Sequence, residues 1–126
     1  MLHKRRDRGA AAVEFALVLP VLVVIVFGII DFGRMLNAKI VLTQAAREGA
    51  RAAAVGTKED GETWARNAAS GLGINAPVVV SCADHVQLSS RATLTYNFNY
   101  ITPLSVFIGS DGTATLTSEA ISPCLR

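Results

Sequence analysis

Between Phe15 and Ile30 the chain carries sixteen consecutive residues without a charge, FALVLPVLVVIVFGII. As a helix this run is about 24 Å long, and counted from Ala10 about 32 Å, close to the ~30 Å hydrocarbon core of a bilayer. Lys4, Arg5, Arg6 and Arg8 precede it, offset only by Asp7. Basic charge confined to one flank predicts a cytoplasmic N-terminus, with everything after the run on the other side of the membrane. The rest of the chain is slightly acidic, and a formal net charge of +2 gives no footprint for nucleic acid. A cleaved secretory signal would share the basic start and apolar middle. It would also need a small-residue cleavage site soon after the run. Here the run passes into GIIDFGRML, which has no such site, and the alanine-rich ARAAAVG comes later.

The helical pattern does not stop at Asp31. DFGRMLNAKIVLTQAAREGARAAAV continues without a proline, with Gln44, Arg47, Glu48 and Arg51 on one side at three- and four-residue spacing. Ala45, Gly49 and Ala53 line another side, beside Ala46, Ala50 and Ala54. A stripe of small residues lets a second backbone approach closely. Gly49 costs ~1 kcal/mol relative to alanine within a helix, and close packing would explain it. A merely alanine-rich helix is the alternative. One helix from Ala10 to Val55 would be about 70 Å long, half in lipid and half projecting. Pro20 removes a backbone donor and predicts a bend.

Gly56 in GTKED ends the long helix. A second, short helix is expected from about Glu62 to Leu72, with Trp64, Ala65, Ala68 and Leu72 as its apolar face. SGLGINAP ends it. PVVVSC reads as a buried strand. VQLSS and ATLTYNFNY alternate with period two, placing Ala92, Leu94, Tyr96, Phe98 and Tyr100 on one face. SVFIG and TATLTSEAI, joined through Ser110–Gly112, suggest a hairpin. The expectation is an α+β chain. A long N-terminal transmembrane helix extends into a small antiparallel sheet of three to five strands, and a core this small needs the helix as one wall.

Cys82 and Cys124 are too far apart for a redox or metal-binding CxxC motif. A head outside the cytoplasm would favour a Cys82–Cys124 disulfide tying the tail to the first strand; two separate thiols are the alternative. His3 lies in the basic leader and His85 in an expected turn. No nucleophile–base pair, phosphate loop or catalytic carboxylate pair is evident, so neither an enzyme nor a cofactor or metal is expected.

One residue resists the simple anchor. Glu14 is a carboxylate one turn into the apolar region, and an acid at membrane depth is by default a functional candidate. If the chain were cut after Gly9, Ala10 would carry a new ammonium and Glu14 would be the fifth residue. A carboxylate there could pair with the amine of a neighbouring subunit.

RGAAAVEFALVLP followed by GIIDFGRMLNAKIVLTQAAREGARAAAVG resembles the TadE-like proteins, pseudopilins of the tight-adherence (Tad, or Flp) pilus system. The resemblance spans Arg8 to about Gly56. Its most specific parts are the glycine with an acid at the fifth position after it, and AAREGARAAA. It implies a type IV pilin-like fold and cleavage between Gly9 and Ala10 by a prepilin peptidase. Glu14 is then the matching acid, with Phe15 as the aromatic residue that often follows it. It also implies a single-pass bacterial inner-membrane protein with a cytoplasmic N-terminus and a periplasmic or extracellular head. The implied partners are other Tad pseudopilins, the major pilin, the inner-membrane assembly platform and membrane lipid.

The expected organisation is a cleaved leader over residues 1–9, a long helix over 10–56 and a head over 57–126. The membrane part of the helix is expected to cover about 10–33, and the projecting part about 34–56. Two functions follow. One is a minor pseudopilin-like structural subunit acting in pilus assembly, adhesion and surface attachment. The other is a membrane-anchored extracytoplasmic binding module that needs neither cleavage nor Glu14. An envelope enzyme is the weakest reading, for lack of a site.

Overall fold

The computed structural model describes residues 3–82, 88–107 and 109–124, without the side chains of residues 3–8, Leu104 and Phe107. Helix α1, His3–Val55, runs unbroken through Pro20. Helix α2 is Lys58–Ala68, strand β1 Val78–Val80 and strand β2 Ser89–Asn99. A single turn, α3, covers Leu104–Phe107, and strand β3 is Thr113–Pro123. The sheet is antiparallel in the order β1-β2-β3. The protein is thus α+β, with a long apolar helix, a short second helix and a three-stranded sheet.

α1 stops at Gly56, and the chain restarts almost at once. Thr57 caps α2: its hydroxyl accepts the Asp60 N–H, while the Asp60 carboxylate accepts the Thr57 N–H at 2.8 Å. This capping box moves the helix start from the expected Glu62 to Lys58, and the end falls at Ala68 rather than Leu72. The expected apolar face is also corrected. Trp64 is 58% exposed and Ala68 is exposed, whereas Gly61, Ala65 and Ala69 are buried. These three recur every fourth residue. Size selects the buried face here, because α2 lies too close to α1 for larger side chains.

β2 presents Ala92, Leu94 and Phe98 to the core and leaves Tyr96 half-buried, the face expected from the alternation, and Tyr100, just past its end, is half-buried too. VQLSS and ATLTYNFNY are not two strands where described: Ser89 and Ser90 already belong to β2. Val86, Gln87 and His85 lie outside the described residues. The expected SVFIG hairpin is overturned as well. All of β3 pairs with β2, from Thr113 opposite Asn99 to Pro123 opposite Ser89, and Ser105, Val106 and Phe107 lie in α3 rather than in a strand. Pro103, with fixed φ and no N–H, favours a turn instead, and α3 follows it. The 100–112 connection is closed by Tyr100 N–H donating to the Gly112 carbonyl at 3.0 Å, where Gly112 has a φ of 76°.

The core joins α1, α2 and the sheet around Leu42, Ala45, Ala46, Ala50, Ala53, Ala65, Ala69, Val79, Ala92 and Leu94. β2 runs antiparallel to the distal half of α1. Ser90 Oγ donates to the Ala50 carbonyl at 2.6 Å near one end, and Arg34 donates to the Asn99 carbonyl at 3.4 Å near the other. The helix therefore forms a wall of the head, as the small size of the head requires.

Candidate functional site

The N-terminal residues singled out by the sequence stand free of the head. Gly9, Ala10 and Glu14 are exposed on α1, and Phe15 is 65% exposed. A methyl group added at Gly9 would meet nothing within 4 Å. Among the described side chains Glu14 has no hydrogen-bond or ion-pair partner. The segment Gly9–Val55 contains a window with mean hydropathy 2.9, none of it buried in the protein, and is long and apolar enough to cross a membrane.

Ala45, Gly49 and Ala53 sit elsewhere, under the head. Ala45 and Ala53 are fully buried, and Gly49 faces α2 so closely that a Cβ would lie 2.9 Å from the Ala65 methyl and 3.0 Å from the Gly61 carbonyl. Gly61 answers it: a Cβ there would lie 2.8 Å from the Ala53 methyl and 2.9 Å from the Gly49 carbonyl. Two glycines thus let two helices of one chain approach backbone to backbone. The small stripe is occupied by the chain's own α2 and is not open to a neighbouring subunit's helix.

The residue that sequence reasoning missed is Asp31. It closes the apolar run and is 1% exposed. Its carboxylate accepts the N–H groups of Ile101 and Thr102 at 3.2 and 3.3 Å, together with the Thr102 hydroxyl. Arg34, one turn on, stands 3.5 Å away and lies over the Phe98 ring at 5.1 Å from its centroid. A buried carboxylate is tolerated when donors surround it, and here they come from the connection leaving β2. Asp31 therefore pins the lower end of the head to α1. The available signal was an acid placed directly after a membrane-length run with an arginine three residues later. Lys39 adds a second tie, donating to the Thr117 carbonyl on β3.

Cys82 and Cys124 form a disulfide with Cα atoms 5.8 Å apart, joining the segment after β1 to the end of β3. The Cys124 N–H also donates to the Leu88 carbonyl at 3.1 Å. At the far end of the head, Glu48, Arg51, Ala52, Val55 and Trp64 line a shallow cleft. Among the described residues no group of three His, Cys, Asp or Glu side chains is placed to hold a metal.

Compared with known proteins, residues 9–51 match the family model described as TadE-like protein. The match begins at Gly9, takes in Glu14, Asp31 and Gly49, and leaves α2 and the sheet outside it. No curated protein and no solved structure matches the chain.

Proposed function

We propose that this chain, whose residues 9–51 match the TadE-like family model, is a minor pseudopilin-like structural subunit in assembly of a Tad/Flp type IV-like pilus. The observation that carries the reading is the extent of the match, which begins at Gly9 and follows α1 through its free apolar half into the half that holds the head. In this reading α1 spans the bacterial inner membrane once, with the basic leader in the cytoplasm and the head outside. A prepilin peptidase removes residues 1–9. The openness around Gly9 supports it as a cleavage point, since among the described residues nothing lies within 4 Å of a methyl group added there.

Cleavage leaves an ammonium on Ala10. Glu14, unpaired within the described chain, is then available to the amine of a staggered neighbour. In a low dielectric such a pair is attractive only when both charges are present and well placed. The acid would select the longitudinal register in which pseudopilins and pilin pack, with Phe15 beside it. Because α2 fills the Gly49 face, subunit contacts fall on the open apolar half of α1.

N-terminal sequencing of membrane-extracted protein tests the reading. A mature chain beginning at Ala10 is expected, and Gly9→Val should retain the leader. Glu14→Gln should leave insertion and cleavage intact while abolishing co-purification with partner pseudopilins. An uncleaved chain absent from the pilus, with Glu14→Gln behaving like the parent, would instead favour a tethered binding module, for which the exposed Trp64 cleft is the feature to examine.

A further inference from the structure

The connection between β2 and β3 does not behave like an ordinary solvent loop. Its sequence, ITPLSVFIG, is mainly apolar, and Ile101 and Val106 are 70% and 78% exposed. The Asp31 carboxylate holds its first two residues at the level where the apolar run of α1 ends. α3 packs against α1. Between Gly9 and Ile30 only Phe27 and Gly28 are partly shielded; every other residue is exposed. Phe27 lies four residues before Asp31, about 6 Å further toward the membrane interior along the helix axis. The lower end of the head thus falls beside the last turn of the span, with two bare aliphatic side chains.

We propose that this connection is a second membrane contact: Ile101 and Val106 enter the outer interfacial layer of the bilayer beside α1. The occupant of this surface is lipid rather than a protein partner because Asp31 holds Ile101 where the lipid-length run of α1 ends, next in sequence to the exposed Ile29, Ile30 and Phe32. Burial of ~5–10 Å into the headgroup–acyl boundary is the depth typical of interfacial segments. The return arm carries Ser110 and exposed Asp111, which suits a segment that dips and climbs back. Two points of contact, one spanning and one interfacial, would fix the tilt and rotation of the head over the membrane. The inference rests on α1 spanning a bilayer and is independent of pilus assembly.

The chain has a single tryptophan, Trp64, some thirty ångströms up the head, by roughly 1.5 Å per residue from Asp31 to Ala52 in the cleft it shares. The test uses the full chain in phosphatidylglycerol–phosphatidylcholine vesicles containing lipids brominated either near the glycerol or near the chain terminus. In a Trp64→Phe background, a tryptophan at Val106→Trp should be quenched severalfold more than native Trp64, and most by bromine near the glycerol. Leu22→Trp should be quenched most by the deep bromine. Thr115→Trp, on the exposed face of the sheet, should remain unquenched, showing that an added indole is not drawn into lipid by itself. An unquenched, water-like emission at position 106 would overturn the proposal. A blue-shifted but unquenched emission would overturn it too, because a protein surface would then cover the site. An unquenched Leu22→Trp would instead refute the spanning helix beneath it.

Discussion

The backbone-close contact of α1 and α2 makes an opposite prediction from the ordinary behaviour of helix glycines. Replacing a glycine by alanine inside an exposed helix stabilises it by ~1 kcal/mol. At Gly49 the new methyl would lie 2.9 Å from the Ala65 methyl and 3.0 Å from the Gly61 carbonyl. Neither can rotate away, since one is fixed to its backbone and the other is backbone. Overpacking of this kind costs ~1–3 kcal/mol, so the net effect of Gly49→Ala is a loss of up to about 2 kcal/mol. Gly61→Ala is worse: the added methyl meets the Ala53 methyl and Val79 Cγ1 at 2.8 Å and the Gly49 carbonyl at 2.9 Å, and of these only the valine branch can turn. A loss near 2 kcal/mol lowers the melting midpoint of a head this small by roughly 10 °C. Thermal melts by circular dichroism in detergent measure it. Gly33→Ala, with nothing within 4 Å, should leave the midpoint unchanged or raised. Ala65→Gly removes one clashing methyl, so combining it with Gly49→Ala should cost less than the sum by ~0.5 kcal/mol or more. If Gly49→Ala and Gly61→Ala both melt at or above the parent temperature, the close approach of the helices is wrong. Unchanged melting with lost assembly would mean that the small face serves a neighbouring subunit.

Three further outcomes are expected. Cys82→Ser with Cys124→Ser should lower head stability by roughly 4 kcal/mol in the chain-entropy account of a 42-residue separation, read as the denaturation midpoint with and without reductant. Asp31→Ala leaves the Ile101 and Thr102 N–H groups without their acceptor at a cost of ~1–3 kcal/mol, and amide exchange at those two positions should accelerate before the rest of β2 responds. The Thr57 N–H and then its hydroxyl hold the Asp60 carboxyl below its ordinary value of 3.8. The cap's contribution should therefore be complete above that value and fade as pH falls through the lowered one, so an NMR titration midpoint at or above 3.8 would refute the cap.

Much of α1 could be read in advance, because its signals are local. A charge-free run, a basic flank and an unbroken three-to-four spacing persist to Gly56 without help from tertiary structure. The β2 face was legible for the same reason. What escaped was set by neighbours. The buried side of α2 is chosen by clearance from α1, so Gly61, Ala65 and Ala69 displace the more apolar Trp64. SVFIG has strand-like composition, yet Pro103 favours a turn and Asp31 holds the preceding residues. Asp31 itself looked like the end of a hydrophobic segment. Its role depends on residues seventy positions away in sequence, a distance over which no spacing rule operates.

The two acids bordering the apolar run explain each other. Asp31 sits at the C-terminal end, is almost wholly enclosed, and receives two backbone N–H groups and a hydroxyl from its own head. Glu14 sits at the N-terminal end, exposed, with no partner among the described side chains. A carboxylate held at membrane depth without a donor is costly, and the chain shows at Asp31 that it can build a complete set of donors where it needs one. Among the described side chains Glu14 is given none. On the proposed reading its donor is the Ala10 ammonium of another subunit, which exists only after cleavage. The two charges would then divide the work: Asp31 orients the head on its own helix, and Glu14 aligns that helix with the next. Substitutions should separate accordingly. Glu14→Gln should spare the melting temperature and lose partners, whereas Asp31→Ala should loosen the head while leaving leader removal intact. Destabilisation of the head by Glu14→Gln would break this division, because nothing in the described head reaches that turn of α1.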